Sequence, residues 1–104
     1  MSNGLVILCT CADEDEALRI ANAVVEARLA ACVNVLPPLR SVYRWKEEIE
    51  TAHEVLLLIK TTQERFSELR DEIARQHSYD TPEIIALPIL GGSQKYLSWL
   101  QAQV

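Results

Sequence analysis

The first predicted element of the fold is a mostly apolar segment of six residues, Leu5-Val6-Ile7-Leu8-Cys9-Thr10. Apolar residues occupy both its odd and its even positions, which predicts a strand that is buried on both faces. The spacing Asp13-x-x-Glu16 predicts a capping box, with Asp13 as the N-cap and Glu16 reaching back. A helix of about 17 residues should follow, with a stripe of apolar residues three and four positions apart: Leu18, Ala21, Val25 and Leu29. The acidic run 13–16 lies at the positive end of the helix dipole, where we expect its carboxylates to point mostly to solvent; a metal site there is the less favoured alternative.

The middle of the chain predicts two more strands. Cys32–Leu36 forms the second strand, which bends at Pro37-Pro38 and resumes over Ser41–Lys46 as an edge strand rich in aromatic and β-branched residues. Residues 47–50 are polar and are expected to form the tip of a hairpin. Glu54–Lys60 is the third strand.

The last third of the chain predicts a helix, a strand and a short helix. Thr61-x-x-Glu64 has the spacing of a second capping box, and the helix after it buries Phe66, Leu69 and Ile73. A turn-rich stretch, His77–Pro82, leads to a fourth strand over Glu83–Ile89. Ser93 is expected to cap the short terminal helix.

The resulting order, β-α-β-β-α-β plus a terminal helix, is typical of an α+β, ferredoxin-like fold in one domain spanning 1–104. Right-handed crossovers place both long helices on one face of a four-stranded antiparallel sheet. The first and third strands are then central, and the fourth strand pairs with the first.

The apolar residues of this sheet exceed what two helices can cover. Leu56 and Leu58 lie on the opposite face of the third strand from Leu57, and the fourth strand is apolar on both faces as well. Exposing that second face to water would be costly. We therefore expect another subunit to cover it, with the edge strand Ser41–Lys46 available for pairing between subunits.

Charge and cysteine usage narrow the classes of function. The net charge of −5 argues against nucleic acid and anionic membranes as partners. The N-terminus carries no basic leader region, and the first apolar run is too short for a signal peptide or a membrane span, so we expect a cytoplasmic protein. The three cysteines do not suggest a disulfide framework.

Antiparallel pairing of the fourth strand with the first predicts a cluster of metal-ligand residue types. It places the loop 77–83, with His77, beside Cys9 and Cys11. Thiolate and imidazole ligands suit copper or zinc rather than magnesium or calcium. The alternative interpretation makes both cysteines small core residues and His77 a cation at a helix C-terminus.

A second group of residues could line a cleft between subunits: Tyr43, Trp45, Lys60, Tyr79 and Glu83. The alternative is that the aromatic residues pack at an interface and that the two charges mark strand ends. Signatures of catalysis are missing from the sequence, which has neither a Gly-rich phosphate loop nor a Gly-x-Ser-x-Gly motif. We therefore expect a protein that is not an enzyme.

Five motifs in this order and spacing resemble the CutA divalent-cation-tolerance family: Ala31-Cys32-Val33-Asn34, Ser41-Val42-Tyr43-Arg44-Trp45, Lys60-Thr61-Thr62, His77-x-Tyr79-x-x-Pro82-Glu83-Ile84 and Tyr96-Leu97-x-Trp99. The resemblance extends from about Leu5 to Leu100. It implies a cytoplasmic ferredoxin-like homotrimer that exchanges its long second and third strands between neighbours, tolerance of divalent metals, and copper binding.

The resemblance also implies a ligand set. In family members with an assigned copper site, the ligands are a Cys at the end of the first strand and two adjacent His residues. Cys9 matches the first ligand and His77 the second His, but Gln76 stands in place of the other His and Ser78 replaces a Pro. Cys11 is then a possible third ligand. The alternatives are a trimer like the PII signalling proteins that binds a small effector between subunits, and a structural or anchoring trimer.

Overall fold

The computed structural model describes residues 3–104, so Met1 and Ser2 of the N-terminal segment lie outside the described residues. The elements in chain order are β1 (Gly4–Cys11), α1 (Glu14–Glu26), β2 (Cys32–Val35), β3 (Leu39–Trp45), β4 (Glu48–Thr62), a 3-10 turn (Gln63–Arg65), α2 (Phe66–Gln76), β5 (Ile85–Pro88) and α3 (Gln94–Gln103). The strands lie in the order β2-β4-β1-β5, all neighbours are antiparallel, and β3 pairs with the first part of β4. The α+β, ferredoxin-like prediction is confirmed, including β1 and β4 as the central strands.

The β3–β4 hairpin is longer than the sequence predicted. The single bent strand is in fact two, because residues 36–38 around the prolines leave the ladder. The predicted tip 47–50 is also wrong, since the turn consists of Lys46 and Glu47 alone. Both residues have positive φ, 49° and 69°, as a two-residue turn between twisted strands requires. Glu48 therefore already belongs to β4.

Helix α1 begins as predicted but ends earlier. Asp13 Oδ1 accepts a hydrogen bond from the Glu16 N–H at 2.9 Å, which confirms the N-cap. The helix stops at Glu26 because Arg28 adopts a left-handed conformation, with φ of 58°. The predicted stripe is wrong at Leu18 and Val25, which are exposed. Compared with the prediction, the helix is turned about its own axis. The side chains that it packs on the sheet are Ala17, Ile20, Ala21 and Val24.

The second predicted capping box does not form. Thr61 is still part of β4, and its buried hydroxyl donates to the Leu29 carbonyl at 2.7 Å. Glu64 instead accepts a hydrogen bond from Asn3. Helix α2 follows a 3-10 turn without a side-chain cap and buries Leu69 and Ile73 as predicted.

The two faces of the sheet differ in how well they are covered. Helices α1 and α2 pack on the face that carries Ile7, Leu57 and Ile59, which are fully buried. On the opposite face, here called the outer face, Ile85 and Leu87 remain 47% and 45% exposed. Helix α3 packs against β1 and β4 and buries Leu100, but Tyr96 and Trp99 stay exposed. A single chain thus leaves much of the outer face bare.

Candidate metal site and the adjoining groove

The end of β1 and the end of α2 bring together three metal-ligand residue types. Cys9 and Cys11 are two positions apart in β1 and so point to the same, helix-covered face. His77 follows the last residue of α2. One ligand atom from each of these three buried residues lies within 4.8 Å of the others. The structure therefore brings together all three residues that the sequence suggested as ligands.

Two hydrogen bonds hold the His77 ring. Its Nε2 lies 2.8 Å from the Thr10 carbonyl oxygen, and its Nδ1 lies 3.1 Å from the Tyr79 backbone N–H. Since a carbonyl can only accept and an N–H can only donate, Nε2 carries the proton and Nδ1 carries the lone pair. A metal ion bound at either ring nitrogen would have to replace one of these two hydrogen bonds.

Glu16 ties the loop after α2 to the start of α1. Its Oε1 accepts from the Ala12 N–H at 2.9 Å and its Oε2 accepts from the Ser78 N–H at 2.7 Å. Burial opposes ionisation of this carboxyl, but the hydrogen bonds from Ser78 and Ala12 outweigh it and lower the pKa of Glu16. Glu16 is an exception to the expectation that the carboxylates of the acidic run point mostly to solvent, because its side chain is buried. Its capping-box position was the only sequence signal for this role.

The donor atoms of the cluster are soft or borderline metal ligands. A hydrogen bond with Cys11, followed by burial, raises the pKa of the Cys9 thiol far above its ordinary value. Two sulfur donors and one imidazole nitrogen form a set that suits copper or zinc and offers no oxygen to magnesium or calcium. Both cysteines also belong to the hydrophobic core. Their packing role and a ligand role are therefore compatible.

Gln76, which stands where the resemblance implies a second His, points elsewhere. Its side-chain amide donates a hydrogen bond to Glu72 Oε2 at 2.9 Å, and its backbone carbonyl accepts one from the Arg19 side chain at 2.8 Å. Cys11 supplies the third soft donor atom of the cluster instead.

A groove of about 580 Å³ adjoins the cluster on the outer face. Four of the residues predicted for the cleft line it: Tyr43, Trp45, Tyr79 and Glu83. Glu54 and Asp80 also line it, although the sequence did not predict them for the cleft. Lys60 does not line it. Lys60 lies six residues along β4 from Glu54, which is roughly 20 Å from it in an extended strand. Its side chain forms a hydrogen bond with Asn34, and its nitrogen lies 3.9 Å from the Cys32 sulfur.

The loop 77–83 joins the metal cluster to this groove. The Tyr79 ring packs on His77 with centroids 4.7 Å apart, while its hydroxyl donates to Glu54 at 2.7 Å. Thr10 lines the groove between Cys9 and Cys11, which face the helices. The two features therefore occupy opposite faces of the same strand end.

With the fold and cluster defined, comparison with known proteins gives the class. The pattern of the family described as "CutA1 divalent ion tolerance protein" matches residues 5–103. The "Divalent-cation tolerance protein CutA" of Thermus thermophilus is 49% identical over 96 residues, covering 92% of this chain and 93% of that protein. This chain belongs to the CutA1 divalent ion tolerance family.

Solved structures agree with that assignment. The structure of the divalent cation tolerance protein from Thermus thermophilus superposes with a TM-score of 0.95 at 47% identity, covering 96% of this chain and 97% of that one. A protein from Archaeoglobus fulgidus, described as a periplasmic divalent cation tolerance protein, gives a TM-score of 0.93 at 41% identity, covering 96% and 97%. These names describe tolerance of divalent cations and do not name a reaction. Within the described residues 3–104, no helix is long and apolar enough to cross a membrane.

Proposed function

We propose that this protein is a cytoplasmic homotrimer that contributes to metal tolerance by binding copper, one ion per chain, at Cys9, Cys11 and His77. The observation that carries the proposal is the convergence of two sulfur atoms and one imidazole nitrogen within 4.8 Å. Its function is binding rather than catalysis.

The donor set suits copper or zinc rather than magnesium or calcium, and copper is the ion that the family resemblance implies. Thiolate ligands select soft ions such as Cu(I), and imidazole suits copper and zinc. Binding at the His77 ring has a cost, because the nitrogen that meets the ion would lose its present hydrogen bond, with the Thr10 carbonyl or with the Tyr79 N–H. That loss is about 1 kcal/mol, which weakens the site without removing it.

The outer face supports the proposed trimer. Ile85 and Leu87 expose nearly half of their surfaces, and β3 offers an unpaired edge. Burial of these side chains against neighbouring subunits would remove apolar surface from water. The three free cysteines are compatible with the reducing conditions of the proposed cytoplasmic location.

Native mass spectrometry of the reduced protein with equimolar copper tests metal and assembly together. We expect a trimer with one copper per chain, and loss of copper in Cys9→Ala, Cys11→Ala and His77→Ala. Cys32→Ala is the matched control, since it removes a thiol outside the cluster and should bind copper like the parent. If Cys9→Ala retains parental copper binding, the proposed site is wrong. A trimer that stays metal-free would instead favour an effector-binding or structural role.

A further inference from the structure

The three proposed metal ligands come from two separate segments of the chain. Cys9 and Cys11 lie in β1, where the antiparallel ladder with β4 fixes their positions. His77 directly follows α2, and residues 77–84 belong to neither a helix nor a strand. The distance between the imidazole and the two sulfur atoms therefore depends on how this irregular segment is attached to the end of β1.

The Glu16 carboxylate joins these two segments next to the ligands. Its Oε1 accepts a hydrogen bond at 2.9 Å from the N–H of Ala12, which follows Cys11. Its Oε2 accepts one at 2.7 Å from the N–H of Ser78, which follows His77. The side chain of Glu16 is only 5% exposed, so the packing around it leaves it little freedom to move. One planar group therefore fixes the separation of the two segments that carry the ligands.

The same carboxylate lies beside the imidazole without belonging to the ligand set. Its Oε1 is 3.9 Å from His77 Nδ1. Both of its oxygens accept backbone hydrogen bonds, and the donor atoms that converge within 4.8 Å are those of Cys9, Cys11 and His77. Groups just outside a ligand set orient the ligands, and their loss typically lowers metal affinity about 10- to 100-fold. Glu16 therefore has the place of a group that orients ligands.

We propose that Glu16 is a positioning residue of the metal site, which holds His77 close enough to the two sulfur atoms for one ion to bind all three. This proposal rests on the proposed copper site and adds to it a residue that does not contact the ion. Without the carboxylate, Ser78 loses its attachment to the end of β1, and the imidazole has to be ordered when the ion binds. That ordering lowers the affinity for the ion.

Competition for copper between the reduced, assembled protein and bathocuproine disulfonate, a Cu(I) chelator, tests the proposal under anaerobic conditions. We expect Glu16→Ala to bind copper about 10-fold more weakly or worse, and to release it faster into excess chelator. X-ray absorption of the copper-loaded proteins adds a spectroscopic signature. The parent should show sulfur and nitrogen neighbours of the ion, whereas Glu16→Ala should lose the nitrogen neighbour and keep the sulfur.

Two control variants separate positioning of the ligands from general destabilisation of the fold. Thr61→Val removes the buried hydrogen bond to the Leu29 carbonyl. Thr61 pairs with Leu5, at the other end of β1 from Cys11. Glu14→Ala removes a negative charge from an exposed position in the same helical turn as Glu16. Both controls should bind and release copper like the parent.

If Glu16→Ala fails to fold, Glu16→Gln tests the same contacts, because the NH₂ group of an amide cannot accept a hydrogen bond. It should weaken copper binding in the same direction. A parent that binds copper, with Glu16→Ala matching its affinity and release rate, would show that the positioning role is wrong and leave the copper site standing. Equal losses of affinity in Thr61→Val and Glu16→Ala would overturn the role as well. A parent that binds no copper would refute the proposed function, and the positioning role with it.

Discussion

Replacement of Glu16 by Ala should destabilise the fold through the loop that carries His77. The carboxylate is buried and accepts backbone hydrogen bonds from Ala12 and Ser78, at 2.9 and 2.7 Å. Hydrogen bonds to a charged acceptor are worth about 1.5–3 kcal/mol each when fully buried. Both donors are only partly buried and can regain water after the substitution, so the lower end applies. We expect a loss of roughly 2–3 kcal/mol.

Urea denaturation at a fixed chain concentration measures this loss, since assembly makes apparent stability depend on concentration. Glu14→Ala is the matched control in the same helical turn. Its side chain is exposed, and both substitutions remove one negative charge near the helix N-terminus, so the dipole contribution largely cancels in the difference. Apart from the helix-dipole contribution that both substitutions share, Glu14→Ala should change the free energy of unfolding by about 0.5 kcal/mol or less.

Hydrogen exchange gives a local check on the same prediction. The Ser78 amide should exchange faster in Glu16→Ala than in Glu14→Ala, because only the first substitution removes its acceptor. Equal stability of the two variants, together with equal Ser78 exchange, would show that Glu16 does not hold the loop.

Three further variants test other parts of the fold. Lys46→Asn with Glu47→Gly should stabilise the protein by about 1 kcal/mol in urea denaturation, because both positions have positive φ; a loss of stability would contradict the turn. Thr61→Val should cost about 1–2 kcal/mol in the same assay, because it removes the buried hydrogen bond to the Leu29 carbonyl; no change would show that this bond contributes little. Leu87→Arg should shift the mass measured by light scattering from that of the proposed trimer to that of a monomer while circular dichroism is retained; a variant with the parental mass would remove the outer face from the proposed interface.

The sheet order could be predicted because its central strands are distinctive. Residues 5–9 and 55–59 are apolar on both faces, and the positions of the two helices leave few antiparallel arrangements. The length of β4 could not be predicted, because residues 48–53 are polar and resemble a loop. They are a strand only through pairing with β3. The orientation of α1 could not be predicted, because Leu18 and Val25 fit a helical stripe as well as Ile20 and Val24, which pack on the sheet.

Only the part of the candidate site that follows from the pairing of the strands could be predicted from the sequence. Antiparallel pairing of β5 with β1 was enough to place His77 near Cys9 and Cys11. The burial of Glu16 and Glu54 depends on how the loop 77–83 folds over the strand ends, and no periodicity in the sequence reports that. The position of Lys60 outside the groove could not be predicted, because a charge at the end of a strand does not indicate which residues of neighbouring elements lie beside it.

The complete burial of Cys9 and Cys11 has a kinetic consequence. Neither residue has exposed surface, so a reagent or an ion reaches the sulfur atoms only when the surrounding structure opens. At high concentrations of a thiol reagent, their labelling rate should level off at the opening rate, while the more accessible Cys32 continues to react in proportion to concentration. An ion held by these thiols would leave through the same opening. Its residence time would then depend on the motion of the protein as well as on the strength of the bonds to the ion.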